Sequence, residues 1–436
     1  MWVSFARAYM PPCSSMARSC DTAMISENRY DEKMRIQMGC TGIMGKASNA
    51  PNAPGTRRMW ASCKLRGLRV SILMVQHTVK TAASSQLQTQ PFDPRRICMY
   101  LFPSEWPELR VLVLDIVLEA ATPAVLSSWP GSAVRGSLLT ALHQHVCTHS
   151  PNLTCPVCWL IAREDPQWRW GRTPARPYAL AVPGEQGRPT GQRLHNSTAE
   201  WRRFAPGDTF QFRLTLFGEA THLLPYLVAT LPCMGENGLG RRLDELGGRR
   251  GQFVLRSIEA VHPLTPTRQP VVEAGRLVGD VSACLVSTQD VLALAAAWEN
   301  QRAFTIFFDT PMRLIERRAL CKTPRFRPLF QRALDRLEAL MEQYGGKRPR
   351  WGDLLALFDL AERVRVADSE TTWVELWSGS QRTQRITPLS GFVGQATFVA
   401  DDWSPFVPLL AWMPIIQVGK DVVKGNGALR VSPANL

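Results

Sequence analysis

The sequence has no long run of apolar residues. Nowhere among its 436 residues does an uninterrupted apolar stretch approach the roughly 20 residues that span a bilayer. The N-terminus also lacks the apolar core and small-residue cleavage site of a signal peptide. We therefore expect no membrane association and a cytoplasmic location. The 11 cysteines are an odd number, scattered over a long chain, and this argues against a disulfide framework.

The sequence has fewer acidic than basic residues. The chain has 37 Asp and Glu against 51 Lys and Arg, which gives a net charge of +14. Such an excess favours a polyanionic partner, because each cation set against a phosphate releases condensed counterions. Charge alone does not separate RNA from DNA or from an anionic membrane. The 45% hydrophobic content is sufficient for ordinary cores, and the length favours two domains.

The first hundred residues lack a sustained apolar period of either helical or strand type. They hold ten of the 14 methionines and few leucines. We interpret residues 1–95 as a poorly ordered extension without a core of its own. Two origins remain open: a disordered basic tail, or an over-extended gene start with Met74 or Met99 as the true initiator.

Two halves with the same plan follow, and we place their domains at residues 108–262 and 295–436. Each half alternates strands and helices and closes with a helix, a glycine-rich loop and a strand. Such alternation predicts two α+β sandwiches, each a sheet with helices on one face. The predicted elements of the first half are strands Val111–Glu119, Phe210–Leu216 and Phe253–Val261, helices Ser132–Cys147 and Thr221–Leu231, and a loop Gly238–Gly251. Those of the second are strands Phe304–Asp309, Gly391–Ala400 and Ala428–Ser432, a helix capped by Thr323-Pro324, a helix Pro405–Ile416, and a looser segment Thr265–Asp280 before them.

Short sequence motifs in a fixed order resemble those of a known family. They are GSAVRGSL from Gly131, Cys147 with CPVC from Cys155, RPY from Arg176, FAPGDTF from Phe204, GENGLGR from Gly235, TPMRL from Thr310, GFVG from Gly391, VGK from Val418 and GNG from Gly425. Together they resemble the CRISPR-associated RAMP endoribonucleases that process precursor CRISPR RNA, over residues 108–432. The resemblance implies two tandem ferredoxin-like domains. It also implies that the chain binds a CRISPR repeat and cuts it once by metal-independent attack of a ribose 2′-hydroxyl, leaving 5′-hydroxyl and 2′,3′-cyclic phosphate ends.

Internal transesterification needs a base, an acid and a cation beside the phosphate. Histidine suits the first two roles because its pKa lies near neutrality. Three of the seven histidines cluster at the end of the first predicted helix: His143, His145 and His149. We expect His143 to be catalytic, with His145 second and Lys420 as the cation. The alternative is a set of surface histidines favoured by the helix dipole.

Cys147, Cys155 and Cys158 have the spacing of a metal-binding set. A structural zinc takes four ligands, and His149 or His145 could supply the fourth. The alternative is three free thiols. In either case we expect no cofactor to be required for catalysis, and a zinc ion would only brace the loop.

Basic residues cluster in three further places. We expect them to contact RNA phosphates without reading sequence, although a solvated charged face is an equal alternative for each. The RNA-binding candidates are Arg135, Arg241, Arg242, Arg249, Arg250, Arg313, Arg317, Arg318, Lys322 and Lys424. Trp168, Trp170 and Tyr178 lie among arginines 163, 169, 172 and 176, where they could stack unpaired bases or pack in a core.

Three functions remain open at this point. The first is the repeat-cleaving enzyme. The second is a non-cleaving RAMP subunit of a CRISPR interference complex, favoured by the unusual closing loop, in which Asp421–Lys424 replaces the family's small polar run. The third is a zinc-dependent nucleic-acid protein unrelated to CRISPR. The first two predict repeat RNA as a partner, with other CRISPR effector subunits.

Overall fold

The computed structural model describes 11 segments of the chain. They are residues 58–65, 68–75, 103, 105–148, 155–162, 175–182, 192–194, 201–273, 276–277, 280–380 and 385–434, with side chains left undescribed at 58–65, 68–75, 192–194, 273, 276–277, 380 and 385. Two compact units are distinguished, Met1–Phe92 and Asp93–Leu436. The first contains one antiparallel hairpin, β1 (Arg58–Leu65) and β2 (Leu68–Val75), which the sequence analysis did not predict.

The second unit begins with a half built on a six-stranded antiparallel sheet. This half contains further strands outside that sheet. All of its strands are β3 (Val111–Ala120), β4 (Ala124–Ser127), β5 (Tyr178–Ala181), β6 (Gln192–Leu194), β7 (Trp201–Phe204), β8 (Thr209–Phe217), β9 (Leu239–Leu243), β10 (Arg249–Gly251), β11 (Phe253–Val261), β12 (Arg268–Pro270), β13 (Val272–Glu273), β14 (Arg276–Leu277) and β15 (Leu285–Val286). Its helices are α1 (Gly131–His145), α2 (Pro156–Ala162), α3 (Leu224–Glu236) and α4 (Thr288–Ala297). The sheet runs β12-β11-β3-β8-β5, and β15 also pairs with β3.

The other half has a four-stranded sheet. Its strands are β16 (Ala303–Met312), β17 (Leu314–Glu316), β18 (Ala319–Cys321), β19 (Arg365–Val374), β20 (Trp377–Ser380), β21 (Arg385–Pro388), β22 (Gly391–Val399) and β23 (Leu429–Pro433). Its helices are α5 (Phe326–Tyr344), α6 (Leu354–Arg363) and α7 (Val407–Ile416). The sheet runs β19-β22-β16-β23, and all pairs are antiparallel.

Both sheets have the strand order of a ferredoxin-like fold. With the four principal strands of each half numbered along the chain, both sheets read 4-1-3-2: β11-β3-β8-β5 and β23-β16-β22-β19. Helices follow the first and third strands in each half, as in a βαββαβ unit. The predicted fold class, two tandem ferredoxin-like α+β modules, is therefore confirmed.

The two halves share apolar contacts. Alternate residues of β3, from Leu112 to Leu118, pack under α1 and α3. Val111 and Val113 point to the other face of the strand and join the core formed by α5 and α7. The start of β3 is therefore buried on both faces, which explains its continuous apolar run.

Several predicted elements differ in detail. The loop predicted at Gly238–Gly251 is the β9–β10 hairpin, because its two arms pair despite lacking apolar alternation. The helix predicted at Thr221–Leu231 begins at Leu224, after a 3₁₀ turn at Gly218–Leu223, and Pro225 lies in its first turn, where proline is well tolerated. Helix α5 begins at Phe326 with Arg325 as its N-cap, beyond the predicted Thr323-Pro324 cap. Among the described residues, no helix is long and apolar enough to cross a membrane.

Candidate RNA-binding and cleavage site

Helix α1 carries three of the predicted site residues. It buries one stripe, Val134, Leu138, Ala141 and Leu142, and this stripe fixes which residues face outward. His143 and His145 are both exposed in the last turn, where the carbonyl end of the helix favours a positive charge. His145 therefore does not pack with the apolar stripe of α1. Arg135 is half-buried and its Nε donates to the Tyr178 hydroxyl at 3.1 Å.

A polar cleft of about 390 Å³ lies beside the second half of α1. Thr140 and Gln144 line it from α1, and the end of α3 closes another side. The Asn237 amide donates to Gln144 at 2.9 Å, which ties the two helices together. His143 lies next to Gln144 and one turn from Thr140, so it belongs to the exposed helix surface beside the cleft. The full lining is Thr122, Ser137, Thr140, Gln144, Glu236, Asn237, Gly238, Arg242, Leu246, Arg249, Arg250 and Gln252.

The β9–β10 hairpin supplies the positive charge of this cleft. Arg242, Arg249 and Arg250 line it, and Glu236 is the one carboxylate in the lining. Arg241 instead packs over the Trp201 ring at 5.1 Å. Gly240 fixes the hairpin against β4: its φ is +85°, and a Cβ there would lie 2.1 Å from the Val125 carbonyl oxygen. Three of the four predicted hairpin arginines therefore line the cleft, and the predicted His143 lies on the end of α1 next to Gln144, which also lines it.

The closing loop, Val418–Gly427, lies at the other end of α1. A Cβ on Gly131 would lie 2.3 Å from the Lys424 carbonyl oxygen, so the loop backbone touches the first residue of the helix. Lys424 pairs with Asp421 at 3.1 Å, and the Lys420 amide donates to the Arg313 carbonyl at 3.2 Å. Arg336 anchors the loop's origin by donating to the Ile416 carbonyl at 2.6 Å. Since α1 is 15 residues long, roughly 21 Å of helix separates Gly131 from His145. The loop that carries Lys420 therefore contacts the first turn of α1, whereas His143 lies in its last turn.

A third basic group surrounds the β17–β18 hairpin. Arg317 and Arg318 form its tip with φ of +46° and +69°, and both are exposed. Arg325 and Arg327 are each paired with Glu316 and Glu362, so their charges are already compensated. Lys322 lies over the Trp373 ring at 6.0 Å.

The carboxylate of Glu375 lies beside this third basic group. The Ser390 hydroxyl and the Trp373 indole both donate to Glu375, and these hydrogen bonds lower the pKa of its carboxyl group. Arg313 donates to the Ser390 carbonyl at 3.0 Å. The base of this region is therefore a fixed polar network between the β17–β18 hairpin and the closing loop.

The three cysteines lie together. Their sulfur atoms are all within 4.8 Å of one another, with Cys147–Cys158 at 3.6 Å and Cys147–Cys155 at 3.7 Å. A tetrahedral zinc with bonds near 2.3 Å holds its sulfurs about 3.8 Å apart, so the spacing fits a zinc site. It is far longer than the roughly 2.05 Å of a disulfide. His149 lies outside the described residues, and His145 is not part of the group.

The thiols differ in their protonation. Burial opposes ionisation of Cys155, but hydrogen bonds from the Cys158 and Thr148 backbones outweigh it and lower its pKa to about 6. Burial raises the pKa of Cys158 to about 12, with further contributions from its two neighbouring cysteines. The Cys155 thiol therefore ionises more readily than the Cys158 thiol, and a bound metal would displace the protons that remain on the cysteines.

Some predicted residues lie outside the described residues, namely Trp168, Trp170 and arginines 163, 169 and 172. Conversely, sequence reasoning missed Gln144 and Asn237 in the cleft. The four-residue spacing of Thr140 and Gln144 is the signal that could have placed them on one helix face.

Comparison with known proteins bears on both halves. Residues 306–429 match the family model of the CRISPR-associated endoribonuclease Cas6, and residues 109–283 match a model described as an N-terminal domain. No curated protein matches the chain. Similar solved structures include a Cas6 product complex (17% identity, TM-score 0.46, 74% of this chain and 100% of that one) and Thermus thermophilus Cas6 (16%, 0.44, 74% and 99%). A partial Cas6-RT-Cas1–Cas2 complex is also similar (13%, 0.46, 77% and 48%).

The matched regions coincide with the two ferredoxin-like modules. The first model spans β3 to the short turn Ser282–Cys284, and the second spans β16 to the start of β23. The Cas6 match includes the closing loop and the β17–β18 hairpin. Over residues 306–429, the second module is similar to the Cas6 family of CRISPR-associated endoribonucleases.

Proposed function

We propose that the chain binds CRISPR repeat RNA and cleaves precursor CRISPR RNA once within each repeat. The observation that carries this proposal is a cleft lined by three arginines and by Gln144, the residue that follows His143 at the exposed end of α1. The Cas6 family match supplies the substrate class. Repeat RNA is then the principal partner, and other CRISPR proteins are further partners.

The proposed chemistry is internal transesterification. His143 takes the proton of a ribose 2′-hydroxyl or delivers one to the leaving oxygen. The 2′-oxygen attacks the adjacent phosphorus, the bond from phosphorus to the 5′-oxygen breaks, and the leaving oxygen gains a proton. Arg242 and Arg249 stabilise the extra negative charge on the crowded phosphate. The products are a 5′-hydroxyl and a 2′,3′-cyclic phosphate, and no metal ion takes part in these steps.

The closing loop takes a different role in this proposal from the one expected from the sequence. Because Lys420 and Lys424 belong to the opposite end of α1, they hold the same RNA some distance along the strand from the scissile phosphate. The amide groups of a glycine-rich loop can approach phosphates closely, and the lysines add point charges. Arg317 and Arg318 extend this second contact region.

We propose further that the three cysteines hold a structural zinc ion. The support is the spacing of their sulfur atoms, which suits tetrahedral zinc. Such an ion would tie the end of α1 to α2 and so steady the helix turn that carries His143. Its role is to brace this region and does not include the cleavage step.

Incubation of the purified chain with its cognate repeat RNA in excess EDTA tests the main proposal. One discrete cut, with a 5′-hydroxyl on one fragment and a cyclic phosphate on the other, is the expected result. RNA that is shifted in a gel but stays intact would favour the non-cleaving binding subunit. RNA that is neither shifted nor cut would contradict both.

A further inference from the structure

The β20–β21 ribbon has one polar face and one exposed apolar face. Cross-strand pairing sets Trp377 opposite Pro388 and Gly379 opposite Ile386, so these four residues share a face. Trp377 is 61% exposed and Ile386 is 73% exposed. A Cβ placed on Gly379 would meet nothing within 4 Å, so the space between the two side chains is open. We call this face the aromatic platform.

The opposite face of the ribbon is attached to α1. The Ser378 and Ser132 hydroxyls lie 2.6 Å apart, and Ser132 follows Gly131, against which the Lys424–Gly425 backbone packs. At its base the ribbon is closed by the Leu389 amide, which donates to the Leu376 carbonyl at 2.7 Å. The aromatic platform therefore stands beside the closing loop, one residue from the contact with the N-terminus of α1.

The charges around the aromatic platform favour a polyanion. The positive end of the α1 dipole and Lys424 of the closing loop lie behind the ribbon. Lys322 and Arg313 lie at its base, next to Trp373, Ser390 and the Glu375 carboxylate. Lys424 is paired with Asp421, so three cations outnumber two carboxylates around the platform. A nucleotide placed here would have its base on an indole ring and its phosphates near fixed cations.

The size of the aromatic platform also favours a nucleotide over a protein. A stable protein interface buries about 800 Å² on each partner, from some 20–30 residues. Two exposed apolar side chains on a narrow ribbon supply only a small part of that area. A nucleic-acid base can stack on a single aromatic side chain, because every base has a flat aromatic face.

We propose that Trp377 is a stacking site for an unpaired base of the bound RNA, next to the phosphates held at the closing loop. This inference rests on the proposed function, because it takes the bound polymer to be RNA. It adds a contact that is independent of the cleft beside His143. It also gives the chain a means to hold single-stranded nucleotides that flank a repeat stem.

The test measures the affinity of the full chain for two synthetic RNAs, an oligouridylate without secondary structure and the cognate repeat. Replacing Trp377 with Ala should weaken oligouridylate binding by between about fivefold and a hundredfold, which is the usual value of one stacked base. Trp377→Phe should restore most of the loss. Tyr226→Ala, which removes another exposed aromatic side chain (46% exposed) on α3, should leave affinity unchanged.

A second measurement identifies the stacked nucleotide. Abasic sites are introduced one at a time into the unpaired positions of the repeat. At one position the abasic substitution should weaken binding to the wild-type chain but not to Trp377→Ala. If the wild-type chain binds RNA and Trp377→Ala binds it equally well, the stacking site is wrong, and a protein contact becomes the better explanation of the exposed indole. If the wild-type chain binds neither RNA, the proposed function itself fails.

Discussion

At the scale of single residues, the environment of His143 decides what it can do. It is exposed at the end of a helix, next to residues that line an arginine-rich cleft. An exposed imidazole keeps access to a bound ribose. The sequence pointed to this histidine through its position at a helix end. It could not predict the partner cations, because these come from a hairpin about a hundred residues further along the chain.

Replacement of His143 by Ala should lower the cleavage rate by about 10²–10⁴, because a proton-transfer group contributes that much to rate. RNA affinity should stay within about tenfold, because the cleft arginines remain. Single-turnover cleavage and filter binding with repeat RNA measure the two quantities. The control is His222→Ala, which removes another exposed histidine. Cleavage by His143→Ala at the wild-type rate would exclude it as the catalyst.

The cysteine group gives a second prediction at this scale. The purified chain should contain about one equivalent of zinc by elemental analysis, because three sulfurs already have the spacing of a tetrahedral site. Cys158→Ser should lose the metal, whereas Cys321→Ser, outside the group, should keep it. RNA cleavage in EDTA should continue as long as the fold survives. Preparations without zinc, even after refolding with added zinc, would contradict the site.

At the scale of elements, apolar patterning predicted the strands and helices that pack against a core. Strand β8 alternates buried and less buried residues, and α5 buries Leu329, Ala333, Leu337 and Leu340 at helical spacing. Strand β19 was missed because it is exposed along most of its length and so has no alternation to detect. The β9–β10 hairpin was missed for a similar reason, since its strands are rich in arginine and glycine. Of the two elements that carry the candidate site, α1 was predicted from its apolar stripe, whereas the arginine-rich hairpin was not.

The β9–β10 hairpin is also where RNA affinity should be most sensitive to charge. The double variant Arg242→Ala and Arg249→Ala should weaken repeat binding, and the slope of log affinity against log salt should fall by about 1.4, since each lost phosphate contact to a single strand contributes about 0.7. Binding titrations at several salt concentrations measure this slope. Arg363→Ala with Arg365→Ala removes the same charge from exposed positions near α6 and should leave the slope nearly unchanged. Equal slopes for the two double variants would argue against a specific phosphate site at the hairpin.

At the scale of the whole molecule, two ferredoxin-like modules form one compact unit, Asp93–Leu436. Their shared core joins the start of β3 to the helices of the second half. The sequence predicted the repeated plan from the order of elements, but not how the halves pack. That packing sets the closing loop of the second half against the first turn of α1. It therefore separates Lys420 from His143, which sequence reasoning had grouped as catalytic.

Deletion of residues 1–95 should leave folding and repeat cleavage intact, because the compact unit that holds both modules begins at Asp93. Thermal unfolding and single-turnover cleavage of the shortened chain test this expectation. The full chain serves as the control. A large loss of stability would mean that the extension contributes to the core.

The most direct test of the account is the role of the 2′-hydroxyl at the cut site. Once the cleavage position is mapped, a repeat RNA with a single 2′-deoxy nucleotide immediately before the scissile phosphate is compared with the unmodified RNA. The account predicts that the modified RNA binds with nearly the same affinity and is not cut, because the attacking oxygen is missing. Cleavage of the modified RNA at the normal rate would contradict it.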